Sequence, residues 1–180
     1  MRIISGNYKG RIITAPKNLP VRPTTDMCKE ALFNILNNRY NLNELQILDL
    51  FAGTGNISYE FASRGAKSII AVDGNTHCVN FIKKTTAAFD FNISVVKSDV
   101  FVFLSKCKTN FDIIFADPPY ELAQTDFEKI INQTIENKLL IESGILIIEH
   151  SKHTKLTEHP NFFEERKYGG SIFSFFKALE

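Results

Sequence analysis

Five residues between positions 53 and 100 have the types and spacing of a site for an adenosine-containing ligand. Gly53 and Gly55 lie in a loop after an apolar run, and glycine lets a backbone turn sharply and approach a ligand closely. Asp73 follows the next apolar run, about 20 residues beyond the loop, where a carboxylate can accept hydrogen bonds from both ribose hydroxyls. Asp99 follows the third run and can accept from an adenine amino group, while Val100 packs on the ring.

Asp49 distinguishes between two classes of adenosine ligand. A nicotinamide or flavin dinucleotide needs the pattern GxGxxG, whose third glycine is Ser58 here, and a carboxylate at position 49 would repel a pyrophosphate. The same carboxylate attracts the ammonium group of a methionine moiety, so S-adenosylmethionine fits better. Each acid taken singly could be a helix cap or a surface residue. Three acids at successive strand ends, together with the glycine loop, favour the cofactor.

A second group of residues, Asp117, Pro118, Pro119 and Tyr120, follows a buried-strand pattern at 111–116. Two prolines stiffen the backbone and remove two N–H donors, which leaves carbonyl acceptors. The Asp117 carboxylate and the Pro118 carbonyl can accept both hydrogens of an exocyclic amine, with Tyr120 stacked on the base. This favours the tetrahedral nitrogen that attacks a methyl group, so catalysis needs positioning and electrostatics but no metal. The alternative is a stiff turn that only ends a strand.

A parallel sheet would bring these two groups together. From Leu45 onward, the patterns predict strands at 46–50, 68–72, 93–97, 111–116 and 144–149, with helices near 58–64, 75–88, 99–106 and 125–138. This alternation predicts an α/β fold with helices on both faces of the sheet, and ligands bind at the carboxyl ends of such strands. Residues 162–168 and 171–178, joined by two glycines, predict an antiparallel hairpin at the sheet edge.

The first 39 residues predict a basic extension. They carry seven Lys and Arg against two acidic residues, whereas residues 40–180 carry fourteen against eighteen. Residues 1–15 predict a short β-hairpin or two edge strands, and Thr25 or Asp26 caps a helix that runs to about Asn37. A basic arm suggests contact with a polyanion, although small basic excesses are also common on solvated surfaces. We therefore expect an extension, 1–39, packed on a body, 40–180.

Cysteine usage and hydropathy exclude several classes of protein. Cys28, Cys78 and Cys107 are odd in number and widely spaced, which indicates reduced thiols and neither disulfides nor a zinc site. Cys28 and Cys78 fall in predicted helices as packing residues. No apolar run approaches 18 residues, and the N-terminus lacks the core of a signal peptide. We expect a soluble, cytoplasmic protein with no membrane association.

Eight segments, in order along the chain, resemble one known family. They are Met1-Arg-Ile-Ile-Ser-Gly6, Lys9-Gly-Arg11, Arg22-Pro-Thr-Thr-Asp26, Glu30-Ala-Leu-Phe-Asn-Ile-Leu36, Asp49-Leu-Phe-Ala-Gly-Thr-Gly55, Ser63-Arg-Gly-Ala66, Asp117-Pro-Pro-Tyr120 and Lys167-Tyr-Gly169. This pattern resembles the bacterial RsmD-type 16S ribosomal RNA guanine-N2 methyltransferases, which are class I S-adenosylmethionine-dependent enzymes. The tetrapeptide alone is shared with DNA adenine methyltransferases, so the N-terminal segments select the RNA family.

The resemblance implies a Rossmann-like, seven-stranded, mostly parallel sheet with an antiparallel C-terminal hairpin and an N-terminal β-hairpin extension. It also implies transfer of one methyl group to N2 of a guanine in 16S ribosomal RNA, in an assembled or partly assembled small subunit. We expect the protein to be a monomer. The guanine must be flipped out or already unstacked, and Tyr120 would help to hold it.

The resemblance also assigns residues to roles. The cofactor would be bound by Asp49, Phe51, Ala52, Gly53 and Gly55, with the aspartate and the glycines at its methionine end, by Asp73 at its ribose, and by Asp99 and Val100 at its adenine. The target amine would be bound by Asp117, Pro118, Pro119 and Tyr120. RNA would contact Lys9 and Arg11 through its phosphates, and Arg22, Thr24 and Thr25 beside the mouth of the cofactor pocket.

The chain departs from the family pattern at three places. Met27 and Cys28 stand where the family commonly has an Arg-containing pair, Asn18 stands where a glycine is usual, and Asn56-Ile57 replaces a small pair after the glycine loop. The missing basic residue near 27 weakens the expected contact with RNA phosphates.

Two other functions account for part of the pattern. A DNA adenine-N6 methyltransferase would use the same tetrapeptide, but it needs a separate target-recognition segment, for which 180 residues leave little room. A binding module without catalysis would keep the fold, but every position named above has a chemically competent residue.

Overall fold

The computed structural model describes residues 1–16, residue 19 and residues 25–179. Its strands are β1 (Gln46–Leu50), β2 (Ser68–Asp73), β3 (Ile93–Lys97), β4 (Phe111–Ala116), β5 (Leu140–His150), β6 (Phe162–Tyr168) and β7 (Ser171–Phe176). Its α-helices are α1 (Asp26–Asn37), α2 (Asn56–Ser63), α3 (Thr76–Phe89), α4 (Val100–Lys106) and α5 (Gln124–Glu136), and a short 3-10 turn (Leu42–Glu44) precedes β1.

The seven strands form one sheet in the order β3-β2-β1-β4-β5-β7-β6. Strands β1 to β5 run parallel, whereas β7 pairs antiparallel with both β5 and β6. The chain leaves β1 toward β2 on one side and returns to β4 on the other, so the strand order reverses between β1 and β4. In sheets of this kind, ligands bind at the carboxyl ends of the strands that flank such a reversal.

The two faces of the sheet are covered by different helices. Side chains alternate along each strand, so Ile47, Phe115 and Ile147 pack toward α1, α2 and α3. Leu48 and Ile114 face the other way, toward α4 and α5. Burial on both faces explains why these strands are almost continuously apolar in sequence.

The N-terminal hairpin is reduced to a single antiparallel bridge between Arg2 and Ile12. The backbone N–H groups of Ile4 and Ser5 donate to the Glu60 carboxylate on α2, at 2.9 and 3.0 Å. These two bonds anchor the N-terminal segment on the body.

From Leu45 onward the predicted strands and helices all form, and β5 differs most from its predicted bounds. The strand begins at Leu140. The predicted start was residue 144, because Gly144 interrupts the apolar pattern. A Cβ added at Gly144 would lie 2.9 Å from the carbonyl oxygen of Phe111, so the glycine allows β5 to approach β4 closely. The strand register shifts there, between Phe111 and Ile113.

Among the residues that the structure describes, no helix is both long and apolar enough to cross a membrane.

Candidate active site

A cleft of about 1340 Å³ opens at the carboxyl ends of β1, β2, β4 and β5. Its walls contain residues from both central motifs. From the glycine loop and β2 come Asp49, Phe51, Ala52, Gly53 and Asp73, and from the end of β4 come Asp117, Pro118, Pro119 and Tyr120. Five of the eight predicted cofactor residues therefore share one cavity with the predicted reacting residues.

The glycine loop is a turn of left-handed residues fixed to β2. Phe51, Gly53 and Gly55 have φ angles of 57°, 55° and 81°. At Phe51, a non-glycine residue, this conformation costs roughly 1 kcal/mol. The backbone N–H of Ala52 donates to the Val72 carbonyl at 3.0 Å, which ties the loop to the neighbouring strand. Strain of this kind is concentrated at functional sites.

Asp73 supports the same loop. Its Oδ2 accepts from the backbone N–H of Gly53 at 2.8 Å, and its Oδ1 accepts from the backbone N–H of Asn75 at 2.7 Å. A carboxylate oxygen can accept two hydrogen bonds, so Asp73 keeps capacity for ribose hydroxyls while it orders the loop.

Asp49 is a buried carboxyl group, with 2% of its surface exposed. Burial raises the pKa of Asp49 to about 7, and hydrogen bonds from the Ser58 hydroxyl (2.5 Å) and the Ser58 backbone N–H (3.1 Å) oppose that rise. The charge of Asp73 adds to it. Because the group titrates near neutral pH, a cation placed beside it would draw it into the ionised form.

The Asp-Pro-Pro-Tyr segment leaves the end of β4 beside β1. The Asp117 backbone N–H donates to the Leu50 carbonyl at 3.4 Å, and the Asp117 side chain is half-buried. Pro118 is buried and Pro119 is exposed. Tyr120 exposes 48% of its surface on the cleft wall, so its ring is accessible to a ligand that stacks on it. The segment combines a fixed acidic group with an accessible aromatic platform.

Three residues predicted to bind the cofactor lie outside the cleft lining. Gly55 caps α2, and a Cβ added there would lie 2.6 Å from the Tyr59 ring, so close packing accounts for this glycine. Asp99 is exposed and caps α4 by accepting from the Val102 N–H at 3.0 Å. Val100 is buried in the core. Their cofactor contacts stay predictions.

Of the residues predicted beside the mouth of the pocket, Thr25 lines the cleft. Its hydroxyl also caps α1, because it accepts from the Cys28 backbone N–H at 3.2 Å. Arg22 and Thr24 lie outside the described residues.

Lys9 and Arg11 are both exposed, but they lie away from the cleft. Their turn docks on the C-terminal end of α2, where the Tyr8 backbone N–H donates to the Ser63 hydroxyl at 3.0 Å. The start of α2 borders the cleft, and a helix of this length spans roughly 12 Å. RNA that contacts both places would have to extend along the α2 side of the protein.

Sequence comparison with known proteins finds methyltransferases. A family model described as Conserved hypothetical protein 95 matches residues 1–177. Ribosomal RNA small subunit methyltransferase D of Escherichia coli K12 is 31% identical over 161 residues, which cover 89% of this chain and 79% of that protein. The enzyme of the same name from Buchnera aphidicola (Baizongia pistaciae) is 31% identical over 163 residues, with 89% and 82% covered. The chain belongs to this methyltransferase family.

Solved structures extend the agreement to the fold. A hypothetical protein from Thermus thermophilus superposes with a TM-score of 0.85 at 26% identity, over 99% of each chain. The 16S rRNA N2 methyltransferase RsmC of T. thermophilus, solved with S-adenosylmethionine and guanosine, gives a TM-score of 0.72 at 22% identity, over 89% of this chain and 45% of that one. The predicted fold class and family are confirmed.

In this family member, a buried lysine joins the N-terminal segment to the cleft. Lys29 on α1 is 1% exposed, and its ammonium group donates to the Asn56 side-chain oxygen at 2.9 Å and to the Arg2 carbonyl. Glu60 lies 3.5 Å away, and it opposes the lowering of the Lys29 pKa by burial. Sequence reasoning missed this group. Its signal was a lysine in the apolar stripe of α1, three positions before Leu32.

The ends of β5 and β7 contribute cleft residues that no motif indicated. Glu149, Ser171 and the exposed Lys152 all line the cavity. Glu149 is only 5% exposed, and its Oε1 accepts a hydrogen bond from the Ser171 hydroxyl at 2.7 Å. Glu149 had the same signal as Asp49 and Asp117, an acid at the end of an apolar strand.

A buried histidine fastens the end of β5 to β7. His150 Nδ1 lies 2.9 Å from the Ser151 carbonyl oxygen, which can only accept, so Nδ1 carries the proton. His150 Nε2 therefore accepts from the Ser174 hydroxyl at 2.7 Å. Burial lowers the pKa of His150, which keeps the ring neutral.

Within the described ranges, no group of three or more His, Cys, Asp or Glu side chains is placed to hold a metal ion.

Proposed function

We propose that this protein transfers a methyl group from S-adenosylmethionine to the exocyclic N2 of a guanine in small-subunit ribosomal RNA, with the target base out of its stack. The observation that carries the proposal is that the glycine loop, Asp49, Asp73 and the Asp117 to Tyr120 segment line a single cleft. Cofactor and base can therefore meet within one cavity.

The enzyme class and the cofactor follow from the family. The chain is an S-adenosylmethionine-dependent ribosomal RNA methyltransferase, as the sequence predicts. The residues of the loop suit this cofactor, because the buried Asp49 carboxyl group offers a negative charge for the methionine ammonium. A dinucleotide would instead place a pyrophosphate near that carboxylate. S-adenosylmethionine supplies the methyl group on a sulfonium, which is a strong leaving group.

In the proposed cofactor site, the three acids act at different parts of the ligand. Asp49 accepts from the ammonium group, with Phe51, Ala52 and Gly53 shaping the loop around the methionine end. Asp73 accepts from the ribose hydroxyls, since its bonds to Gly53 and Asn75 fix its orientation. Asp99 and Val100 lie outside the cleft lining, so they would contact adenine only if the adenine end of the ligand extends beyond the cleft.

In the proposed reaction, Asp117 and the Pro118 carbonyl accept the two hydrogens of the guanine amine. The nitrogen lone pair then turns toward the methyl carbon, a C–N bond forms as the C–S bond breaks, and the cofactor leaves as a thioether. The nitrogen loses one proton, for which Asp117 is the adjacent acceptor. Positioning for in-line transfer and electrostatic stabilisation of the developing positive charge provide the rate acceleration.

The target base must leave its helix to enter this cleft. Asp117, Pro118 and an accessible Tyr120 ring line the same cleft, and an extruded base can stack on such a ring. In folded RNA, enzymes of this type read unpaired and splayed bases. Thr25 and Lys152 at the cleft would contact the flanking nucleotides, while Lys9 and Arg11 would contact phosphates farther along the RNA.

We further propose that the substrate is an assembled or partly assembled small ribosomal subunit, and that a monomer acts on it in the cytoplasm without a metal. The basic excess of residues 1–39 supports contact with a polyanion. The rest of the chain carries a slight acidic excess, which gives little affinity for naked RNA outside that arm.

Labelled S-adenosylmethionine tests the substrate class directly. The protein is incubated with undermethylated small subunits, with their naked RNA and with duplex DNA, and each product is digested to nucleosides. We expect N2-methylguanosine from the subunits and none when Asp117→Ala replaces the wild type. Label in N6-methyladenine would instead indicate a DNA or RNA adenine methyltransferase with the same site. Absence of label in every substrate would contradict the proposed reaction.

A further inference from the structure

A second carboxyl group lies beside the proposed target amine. The sheet register pairs Ala116 of β4 with Ile148 of β5, and Asp117 and Glu149 are the residues that follow. The two acids therefore occupy neighbouring positions on adjacent parallel strands, and both line the cleft. Asp117 already has a role in the proposed reaction, whereas Glu149 has none.

The orientation of Glu149 is set by the C-terminal hairpin. Ser171, the first residue of β7, is 8% exposed and donates its hydroxyl hydrogen to Glu149 Oε1 at 2.7 Å. The adjacent His150 is bonded to Ser174 on the same strand β7. Two side chains of β7 thus hold the end of β5, and the Glu149 carboxyl group is a fixed feature of the cleft wall.

Guanine presents a suitable donor at this position. The ring atom next to its exocyclic N2 is N1, which carries a hydrogen. In adenine the ring atom next to N6 on the same edge is N1 without a hydrogen, an acceptor. A carboxylate can accept but not donate, so it favours guanine and opposes the lone pair of adenine.

We infer that Glu149 is a specificity-determining residue that accepts a hydrogen bond from N1–H of the target guanine, with Ser171 as its positioning residue. The inference rests on the proposed function and extends it. Asp117 and the Pro118 carbonyl accept the two N2 hydrogens, and Glu149 accepts the third donor of the same base edge. The Asp-Pro-Pro-Tyr segment is compatible with the exocyclic amine of guanine or of adenine. The contact of Glu149 with N1–H makes the site select guanine.

A base analogue separates this role from general support of the fold. 2-Aminopurine has the exocyclic N2 amine of guanine but no hydrogen on N1. Once the methylated nucleotide is mapped, a small-subunit RNA is ligated with guanine or 2-aminopurine at that position and assembled with small-subunit proteins. Wild-type enzyme should prefer guanine by about 10- to 100-fold in kcat/KM, the range for one hydrogen bond to a charged group.

The variant Glu149→Gln should invert this preference or bring it near unity. Its amide can donate to the bare N1 of 2-aminopurine, so activity on the analogue should rise while activity on guanine falls. Glu142→Gln is the matched control, because Glu142 is an exposed glutamate on the same strand. Thermal melting and binding of S-adenosylmethionine verify that each variant is folded.

Ser171→Ala provides a second test that does not depend on the Glu149 variant folding. Loss of the hydroxyl that orients Glu149 leaves the carboxylate in place, so the preference for guanine should narrow by about 2- to 10-fold without inverting. An unchanged preference in both variants, with N2-methylguanosine still formed by the wild type, would overturn the inference alone. Absence of N2-methylguanosine with the wild type would overturn the proposed function as well.

Discussion

The Lys29 ammonium group donates a hydrogen bond to the Asn56 side-chain oxygen at 2.9 Å, and Asn56 is both the first residue of α2 and part of the cleft wall. The same ammonium bonds the Arg2 carbonyl and pairs with Glu60, which anchors the backbone of Ile4. One buried cation therefore connects the N-terminal segment with the start of the helix that follows the glycine loop.

Lys29→Met should destabilise the protein and weaken cofactor binding together. Removing one partner of a buried ion pair costs about 3 kcal/mol even at the low end of the usual range, and Glu60 keeps a second partner in Arg64. In a domain of this size, such a loss lowers the melting temperature by roughly 6 to 12 °C. Calorimetric melting and titration with S-adenosylmethionine measure both effects. Lys84→Met, at an exposed site on α3, is the control and should change neither.

Cofactor affinity should have a maximum between about pH 7 and pH 8. Below pH 7 the Asp49 carboxyl group is protonated, since burial raises its pKa to about 7. Above about pH 8 the methionine amine loses its proton, as α-amino groups do. Dissociation constants measured by calorimetry from pH 5.5 to 9 test this. 5′-Methylthioadenosine has no ammonium group, and a flat profile is expected for it. An equally flat profile for S-adenosylmethionine would contradict the assigned contact.

Asp49→Asn should stabilise the ligand-free protein above neutral pH while it weakens cofactor binding. The pKa of Asp49 is higher in the folded state than in the unfolded state, so stability from this group is lost as the pH rises from about 4 to 7. The neutral amide avoids that loss. We expect the melting temperature at pH 8.5 to exceed that of the wild type by roughly 2 to 4 °C, or about 1 kcal/mol. At each pH, the melting temperature of the wild type is subtracted from that of the variant. A smaller difference at pH 8.5 than at pH 5 would refute this prediction.

Asp117→Ala should abolish methyl transfer while cofactor binding persists. In the proposed reaction the Asp117 carboxylate contacts the base and not the methionine end, so kcat should fall by at least about 100-fold, as on removal of an electrostatic group at a reacting centre. The dissociation constant for S-adenosylmethionine should stay within about threefold of the wild-type value. An equal loss of binding and turnover would show that Asp117 supports the cofactor instead.

The distance between the N-terminal turn and the cleft makes RNA contacts separable. Replacing Lys9 and Arg11 together with Ala should weaken RNA binding and flatten its salt dependence by about 1.4 in the logarithmic slope, for two phosphates on single-stranded RNA. Lys152→Ala should reduce the slope by about half as much. Filter binding at several salt concentrations gives each slope. If only Lys152→Ala changes it, the RNA lies at the cleft mouth and does not reach the N-terminal turn.

The order of strands and helices was predictable because local patterns set it. Apolar runs such as 111–116 are continuous enough to identify buried strands, and Thr25 marks the start of α1 by its side-chain capping bond. The start of β5 was not predictable, because Gly144 interrupts its pattern and the close approach to β4 that requires this glycine depends on another strand. The anchoring of the N-terminal segment on Glu60 was not predictable either, because Glu60 is distant in sequence.

The acids at the ends of β1, β2 and β4 were identified in the sequence because a short motif accompanies each of them. The roles of those residues stay predictions, and so do the RNA contacts of Lys9 and Arg11. Glu149 had only the signal of an acid at a strand end, and no motif accompanies it. Ser171 reaches the cleft only because β7 runs back antiparallel to β5. Lys29 meets Asn56 only because α1 packs against α2. The sequence by itself determined the family, the fold class and which residues are candidates for the chemistry. The tertiary structure decided which distant side chains share their cavity, because hydrogen bonds and burial between strands and helices far apart in the chain leave no local pattern to detect.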